Sequence, residues 1–206
     1  MEKIRIGFDL DGVLCDFYEA VRLRILEKTK YDMGNEIRTY KLTCPKLTDK
    51  QMSKIIKETI YDYESIQPYP NIKKILSSFV LMTNEPIHII TSRFKSTKSV
   101  TTAWLDKNLR LNKDTAKLEE DIVIPYDVHF VPSSDKRYFL DFNDFTFFVE
   151  DRLRTANQCF SQDIVFLINR PWNMGREVNR KVIRVDSLDE VLDDYTLLSK
   201  LKVKYL

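Results

Sequence analysis

Six short, almost uninterrupted apolar runs limit most strongly what this 206-residue chain can fold into. They are "IRIGF" (4–8), "IHIIT" (87–91), "DIVIP" with "VHFV" (121–131), "FTFFV" (145–149), "IVFLI" (164–168) and "KVIRV" (181–185). Rich in Ile, Val and Phe and nearly continuous, they have the pattern of parallel strands covered on both faces. Helical patterns lie between them: "NIKKILSSF" after Pro70 with Asn71 as its cap, 96–109, 151–160, and a stretch opening on a Ser187–Glu190 capping-box spacing. This alternation predicts an α/β fold, a doubly wound parallel sheet. One segment interrupts it. Between 17 and 68 no strand pattern occurs, and "FYEAVRLRILEKT" and "TDKQMSKIIKETIYDY" both read as helices, the second with a Thr48–Gln51 capping-box pattern. The expected organisation is a core of 1–16 and 81–206 with a helical insertion at 17–80. An insertion there sits over the crevice where such sheets bind ligands and can serve as a lid.

Composition narrows the classes of function. Basic residues number 33 and acidic residues 31, with no basic tract, so long nucleic acid is not an expected partner. A small phosphorylated substrate needs only a local positive patch and stays open. Cys15, Cys44 and Cys159 form no CxxC pair, which argues against a zinc site or disulfide framework. Reduced thiols in the cytoplasm are the simplest reading. No signal-peptide h-region and no membrane-spanning run is seen, so no membrane association is expected. His88 and His129 lie inside apolar runs and neither has a partner at metal-ligand spacing, so both read as structural. Nothing in the sequence sets the oligomeric state; a homodimer stays open.

The chemistry gathers where the apolar runs end. "IGFDLDGVLCDF" (6–17) places Asp9 and Asp11 two residues apart at a strand end, then breaks at Gly12. Taken alone this is also the composition of an Asx-type turn. As a reaction centre, two such carboxylates repel unless a cation neutralises them, and Mg²⁺ takes oxygen ligands of this kind. A tight turn at Gly12 is expected to aim backbone N–H groups at phosphate oxygens. "IHII" ends in Thr91-Ser92-Arg93, "FTFFV" in Glu150-Asp151-Arg152, and "SSDK" puts Lys136 at a helix start. A nucleophile, a proton donor, metal ligands and groups that hold the transferring oxygens make up the set that phosphoryl transfer needs. Each has a plainer role as well: Thr91-Ser92-Arg93 as a polar strand end, Lys136 as a surface lysine, Glu150 and Asp151 as a helix cap.

With those residues in place, the sequence resembles the haloacid dehalogenase superfamily. "FDLDGV" looks like its first motif, Thr91 in "IITS" its second, Lys136 its third and "VEDR" (149–152) its acidic fourth, in the expected order. The insertion matches the position of the family's type-1 helical cap. The resemblance is closer to the 5'(3')-deoxyribonucleotidase branch, on "DLDGVLCDF", "TSR", "EDR" and "INRPWN" (168–173). It implies a Rossmann-like core and Mg²⁺-dependent hydrolysis of a nucleoside monophosphate through an aspartyl-phosphate. Asp9 would be the nucleophile and Asp11 the general acid and base. Asp9, the backbone carbonyl of Asp11, and Asp151 with or without Glu150 would hold the metal. Thr91, Ser92, Arg93 and Lys136 would bind phosphate, and Phe17 would stack on a base beneath the cap. The branch usually has two Asp at the fourth motif, so Glu150 leaves the division between it and Asp151 open. Another small phosphoester, such as a sugar phosphate or a 3'-phosphate end, stays an alternative. So does a silent phospho-ligand binder. Cys15 reads as small filler on a helix start, and Trp172 either packs a turn or belongs to the site.

Overall fold

The computed structural model describes residues 4–34, 39–111, 122–158 and 164–194. Its main sheet has six parallel strands, β1 (Ile6–Phe8), β2 (Ile87–Thr91), β5 (Tyr126–Phe130), β6 (Phe147–Glu150), β7 (Ile164–Ile168) and β8 (Val182–Val185), in the order β5-β2-β1-β6-β7-β8. The chain builds outwards from β1 first to one side and then to the other, which makes the fold doubly wound. The crevice at that switch point lies outside the carboxyl ends of β1 and its neighbours, where such sheets bind ligands.

Alternation along the strands feeds two apolar layers. Phe8, Ile89, Phe147 and Phe166 belong to one core cluster, with Phe79 of α3 (Ile72–Thr83) and Trp104 of α4 (Lys98–Asn108). Ile90, Phe148, Val165 and Leu167 belong to the other, with Leu140 of α5 (Lys136–Phe142) and Ala156 of α6 (Leu153–Gln158). Both faces are thus covered, as the near-continuous apolar runs predict. In the central strand Gly7 leaves room for this packing, since a Cβ there would lie 2.7 Å from Ile90 Cδ1.

Several local expectations change. The run 121–131 divides into β4 (Ile122–Val123), antiparallel to β3 (Arg110–Leu111), and the sheet strand β5. Pro125 between them has no N–H for a ladder. Asn71 precedes α3 in the left-handed region (φ 62°) and its side chain does not cap the helix; its Nδ2 points to Asp189 instead, at 3.3 Å. The Ser187 hydroxyl accepts from Glu190 N (3.3 Å), but the Glu190 carboxylate reaches Asp186 N (2.8 Å), one residue beyond a capping box. The expected helices over 151–160 and from 187 run partly outside the described residues, as does Cys159. Cys15 and Cys44 are free thiols, both buried. No helix among the described residues is long and apolar enough to cross a membrane.

The insertion leaves and re-enters the core through two segments bonded to each other. Asp16 N donates to Gln67 O (2.8 Å) and Tyr69 N to Leu14 O (3.0 Å). Cys15 lies in this neck rather than on a helix: Asp16 caps α1 (Phe17–Thr29) by accepting from Glu19 N. Thr48 and Gln51 form the expected capping box on α2 (Asp49–Tyr61). Met52, Ile55, Thr59 and Ile60 form the buried side of α2, which packs on α1. The Trp104 indole of α4 donates to Ile66 O at 2.8 Å and ties the neck to the core. Residue 80 falls inside α3, whose Phe79 packs on Phe8 and Phe147, with ring centroids 5.6 Å apart in each pair.

The two histidines meet across β2 and β5, with His88 Nδ1 and His129 Nε2 3.3 Å apart. Burial depresses both imidazoles, and His129 depresses His88 further. A pKa lowered in the folded chain means that the unfolded chain binds more protons below about pH 6.5, so stability is lost as pH falls. Acidification from about pH 7.5 to about pH 5 is therefore expected to lower the melting temperature more in the wild type than in His129→Gln. Parallel slopes in thermal melts would show that the pair carries none of this dependence.

Candidate active site

Three adjacent strands deliver the acidic and polar residues. Asp9 continues the ladder beyond β1, its N–H donating to Val149 O (2.8 Å), and so stands beside the end of β6. Its side chain is almost fully buried. Oδ1 accepts from Leu10 N (2.8 Å), and Oδ2 lies 2.8 Å from Lys136 Nζ. Lys136, at the first turn of α5, is equally buried and reaches Glu150 Oε2 at 3.3 Å. The other Glu150 oxygen accepts from the N–H groups of Asp151 and Arg152, each at 3.1 Å. Asp9, Glu150 and Asp151 each offer an oxygen within 4.8 Å of the others.

This cluster holds three buried carboxylates against one ammonium. Burial and the charge of Glu150 push Asp9 well above the ordinary carboxylate range, against the pull of Lys136. Burial, Glu150 and Asp9 do the same to Asp151. Burial would also raise Glu150, but Lys136 and its hydrogen bonds hold it below its usual value. Burial opposes the charge on Lys136, and Asp9 and Glu150 outweigh it, so Lys136 stays protonated. When all are ionised the cluster lacks two positive charges. Asp151 Oδ1 is buried with no hydrogen-bond partner among the described residues. An orphaned carboxylate oxygen in an acidic, oxygen-only cluster fits a hard divalent cation.

Asp11 is held elsewhere. Arg93 grips both its oxygens, Nη2 to Oδ1 at 2.6 Å and Nε to Oδ2 at 2.9 Å, a bidentate fork. The Arg93 guanidinium is buried over the Phe17 ring, 5.5 Å from its centroid. The Asp11 carboxylate is thus not part of the acidic cluster. Thr91 is fully buried and its Oγ1 accepts from Arg93 N (3.2 Å), while Ser92 Oγ accepts from Ser133 Oγ (2.8 Å).

The Gly12 turn departs from expectation. Four of its N–H groups are engaged within the chain: Leu10 N to Asp9 Oδ1, Gly12 N to Cys15 O (2.9 Å), and Val13 N and Leu14 N to Leu10 O (3.4 and 2.9 Å). Those four are therefore not free to cradle a phosphate, whereas Asp11 N makes none of these bonds. Glycine is required here for two other reasons: φ is +83°, and a Cβ would lie 2.1 Å from Asp151 Oδ2. Burial pushes the Cys15 thiol up, which keeps it protonated and unreactive, consistent with small filler.

Above the cluster opens a cavity of about 730 Å³. The core contributes Asp9, Asp11, Ser92, Arg93, Phe94 and Arg152 to its wall. The insertion contributes Phe17, Tyr18, Tyr40, Met52 and Ile56, a largely aromatic and apolar surface. Thr91, Lys136, Glu150 and Asp151 do not line it. Tyr18, Tyr40 and Arg152 were not singled out from the sequence as site residues. Arg152 lies over the Tyr40 ring, 4.5 Å from its centroid. Arg152 carried a sequence signal in the "EDR" after the fourth apolar run, and Tyr18 stands next to Phe17.

No family model and no curated protein matches the chain. Solved structures do. A haloacid dehalogenase-like hydrolase from Streptococcus pneumoniae is 16% identical with a TM-score of 0.56, over 95% of this chain and 100% of that one. A haloacid dehalogenase-like family hydrolase from Xanthomonas campestris is 10% identical with a TM-score of 0.56, over 99% and 100%. CbbY from Rhodobacter sphaeroides, solved with phosphate, is 13% identical with a TM-score of 0.56, over 92% and 96%. What the chain shares with these structures, at such low identity, is their fold: the Rossmann-like α/β architecture of haloacid dehalogenase-like hydrolases.

Proposed function

We propose that the protein is a Mg²⁺-dependent phosphatase of small phosphomonoesters, acting through an aspartyl-phosphate on Asp9, and that its substrates are nucleoside monophosphates. The observation that carries the chemistry is the buried Asp9–Lys136–Glu150–Asp151 cluster beneath the cavity, with Asp11 on the cavity wall. Asp9, Glu150 and Asp151 would hold the ion, with the backbone carbonyl of Asp11. Bound there, Mg²⁺ supplies the missing positive charge and neutralises charge developing on the phosphoryl oxygens.

The chain's own residues do the rest. The Asp9 carboxylate attacks phosphorus as the ester P–O bond breaks, and a proton from the Asp11 carboxyl goes to the leaving oxygen. Water then attacks the acyl phosphate, gives a proton back to Asp11, and releases inorganic phosphate and the free Asp9 carboxylate. Proton transfer at Asp11 competes with the Arg93 fork, so Arg93 has to yield one of the two oxygens during the cycle. Lys136 keeps Asp9 oriented and, with Thr91, Ser92 and Arg93, supplies positive and hydroxyl groups around the transferring phosphoryl. The bonded neck at 14–16 and 67–69 supports a cap that ends nearer residue 68 than residue 80. Its helices cover the cavity as a lid.

The nucleotide assignment rests on the aromatic wall of Phe17, Tyr18 and Tyr40; Arg93, Trp172 and Arg152 each cover a face of one of these rings, so a base would stack on what is turned to the cavity. A panel of nucleoside monophosphates and sugar phosphates tests it. Nucleotides are expected to show kcat/KM at least about 10-fold higher, with all turnover lost in EDTA and restored by Mg²⁺. Equal turnover of sugar phosphates would move the assignment to that class, and EDTA-resistant phosphate release would remove the mechanism.

A further inference from the structure

Among the described residues, Asp151 is the one carboxylate of the Asp9–Lys136–Glu150–Asp151 cluster with a side-chain donor from outside the cluster. Trp172, in the loop after β7, sends its indole Nε1–H to Asp151 Oδ2 (3.1 Å) and shares it with Asp151 O (3.2 Å). Asn173 Nδ2 bonds the same carbonyl (2.7 Å) and Ile168 O (2.8 Å), which ties the loop to the end of β7. The other flank of Oδ2 is closed by Gly12, where any Cβ would collide with it. Gly12 is held in turn, its carbonyl accepting from Arg170 Nε at 2.9 Å. Oδ2 is therefore committed and oriented, while Oδ1 is buried without a partner among the described residues. A carboxylate fixed by one oxygen and left open at the other is arranged to present a single lone-pair donor to a cation.

The same indole touches the cap. Its ring stacks on Tyr18 of α1, with centroids 3.8 Å apart and planes inclined by 24°. Tyr18 in turn has its hydroxyl 3.5 Å from Tyr40 O on the cavity wall. A shift of α1 relative to the core displaces the ring that orients Asp151, and a reorientation of Asp151 disturbs the ring on which α1 rests.

We propose that Trp172 is a positioning residue that sets the Asp151 carboxylate for the cation and couples the cap helix α1, through Tyr18, to occupancy of the metal site. The proposal rests on the phosphatase reading only through the metal site. Two variants separate its parts. Trp172→Phe keeps an aromatic face for Tyr18 and removes the N–H; Tyr18→Leu keeps the N–H and removes the stacked ring.

The test is Mg²⁺ binding by isothermal titration calorimetry without substrate, with circular dichroism confirming the fold. The dissociation constant is expected to rise about 10- to 100-fold in Trp172→Phe, the usual cost of losing a partner of a metal ligand. A smaller rise of roughly 3-fold or more is expected in Tyr18→Leu, which also gives the answer if Trp172→Phe does not fold. Wild-type affinity in either folded variant overturns the proposal. Failure of the wild type to bind Mg²⁺ overturns the metal site along with it, so the two failures are distinguishable.

Discussion

Asp9→Asn is expected to lose phosphate release by on the order of 10⁴–10⁶-fold, the scale seen when a covalent nucleophile is removed. The substitution keeps the size of the side chain and an oxygen able to accept from Leu10 N, which Asp9 Oδ1 does at 2.8 Å. What disappears is the charge that would attack phosphorus in the proposed mechanism and that faces Lys136 at 2.8 Å. The fold is expected to persist, because Glu150 still pairs with Lys136. Malachite-green detection of phosphate over long incubations gives the measurement. An Asp9→Asn protein within about 10-fold of wild type would exclude an aspartyl-phosphate and leave the cluster as a structural ion network.

The largest effect on stability is expected from Lys136→Met. The Lys136 side chain is only 2% exposed and, among the described residues, is the single ammonium facing Asp9 and Glu150. Its removal strands buried carboxylates, and breaking a buried pair from one side costs about 3–5 kcal/mol. For a chain of this size that lowers the melting temperature by roughly 10 °C. The loss depends on pH with a definite sign. Asp9 and Asp151 already sit above their unfolded values through burial and the charge of Glu150, and loss of Lys136 raises Asp9 further. Groups with raised pKa bind more protons when folded, so their stabilisation is present at low pH and lost as pH rises through the folded values. The gap between variant and wild type in EDTA is therefore expected to widen from about pH 4.5 to about pH 7.5. Calorimetric melts with no gap, or with a gap that narrows, would mean that Lys136 does not neutralise the cluster.

Much of the architecture was legible because its signals are local. The apolar runs named every strand of the main sheet, although the run at 121–131 contains a break at Pro125. The Thr48–Gln51 capping box formed as spaced, whereas the Glu190 carboxylate accepts from Asp186 N rather than Ser187 N, because one residue of offset is invisible to a spacing rule. The motif residues stand at strand ends and at a helix start. The backbone cradle expected at Gly12 is smaller, since the turn satisfies the N–H groups of Leu10, Gly12, Val13 and Leu14 within the chain.

Partnerships between distant residues were not legible. Arg93 and Asp11 stand 82 positions apart, and each was assigned to the substrate's phosphate or its protons rather than to the other. His88 and His129 looked isolated because 41 positions separate them. They meet only because β2 pairs with β5 in the register that sets His88 beside Asp127 and Ile90 beside His129. Trp172 was ambiguous between turn packing and the site, and the structure gives it both a carboxylate and a cap residue as neighbours.

The sequence by itself determined the elements and the chemical inventory: a parallel sheet, a helical insertion after β1, and carboxylates, hydroxyls and cations where elements begin and end. Periodicity and residue type are properties of short windows, so they can be read without knowing what lies across the sheet. Only the tertiary structure decided how that inventory is paired: Lys136 with Asp9 and Glu150, Arg93 with Asp11, Trp172 with Asp151. Those pairings follow from strand order and register, which bring residues from opposite ends of the chain within hydrogen-bond distance. In a buried, water-poor site the pairing sets which carboxylates stay charged and which oxygen is left open to a cation.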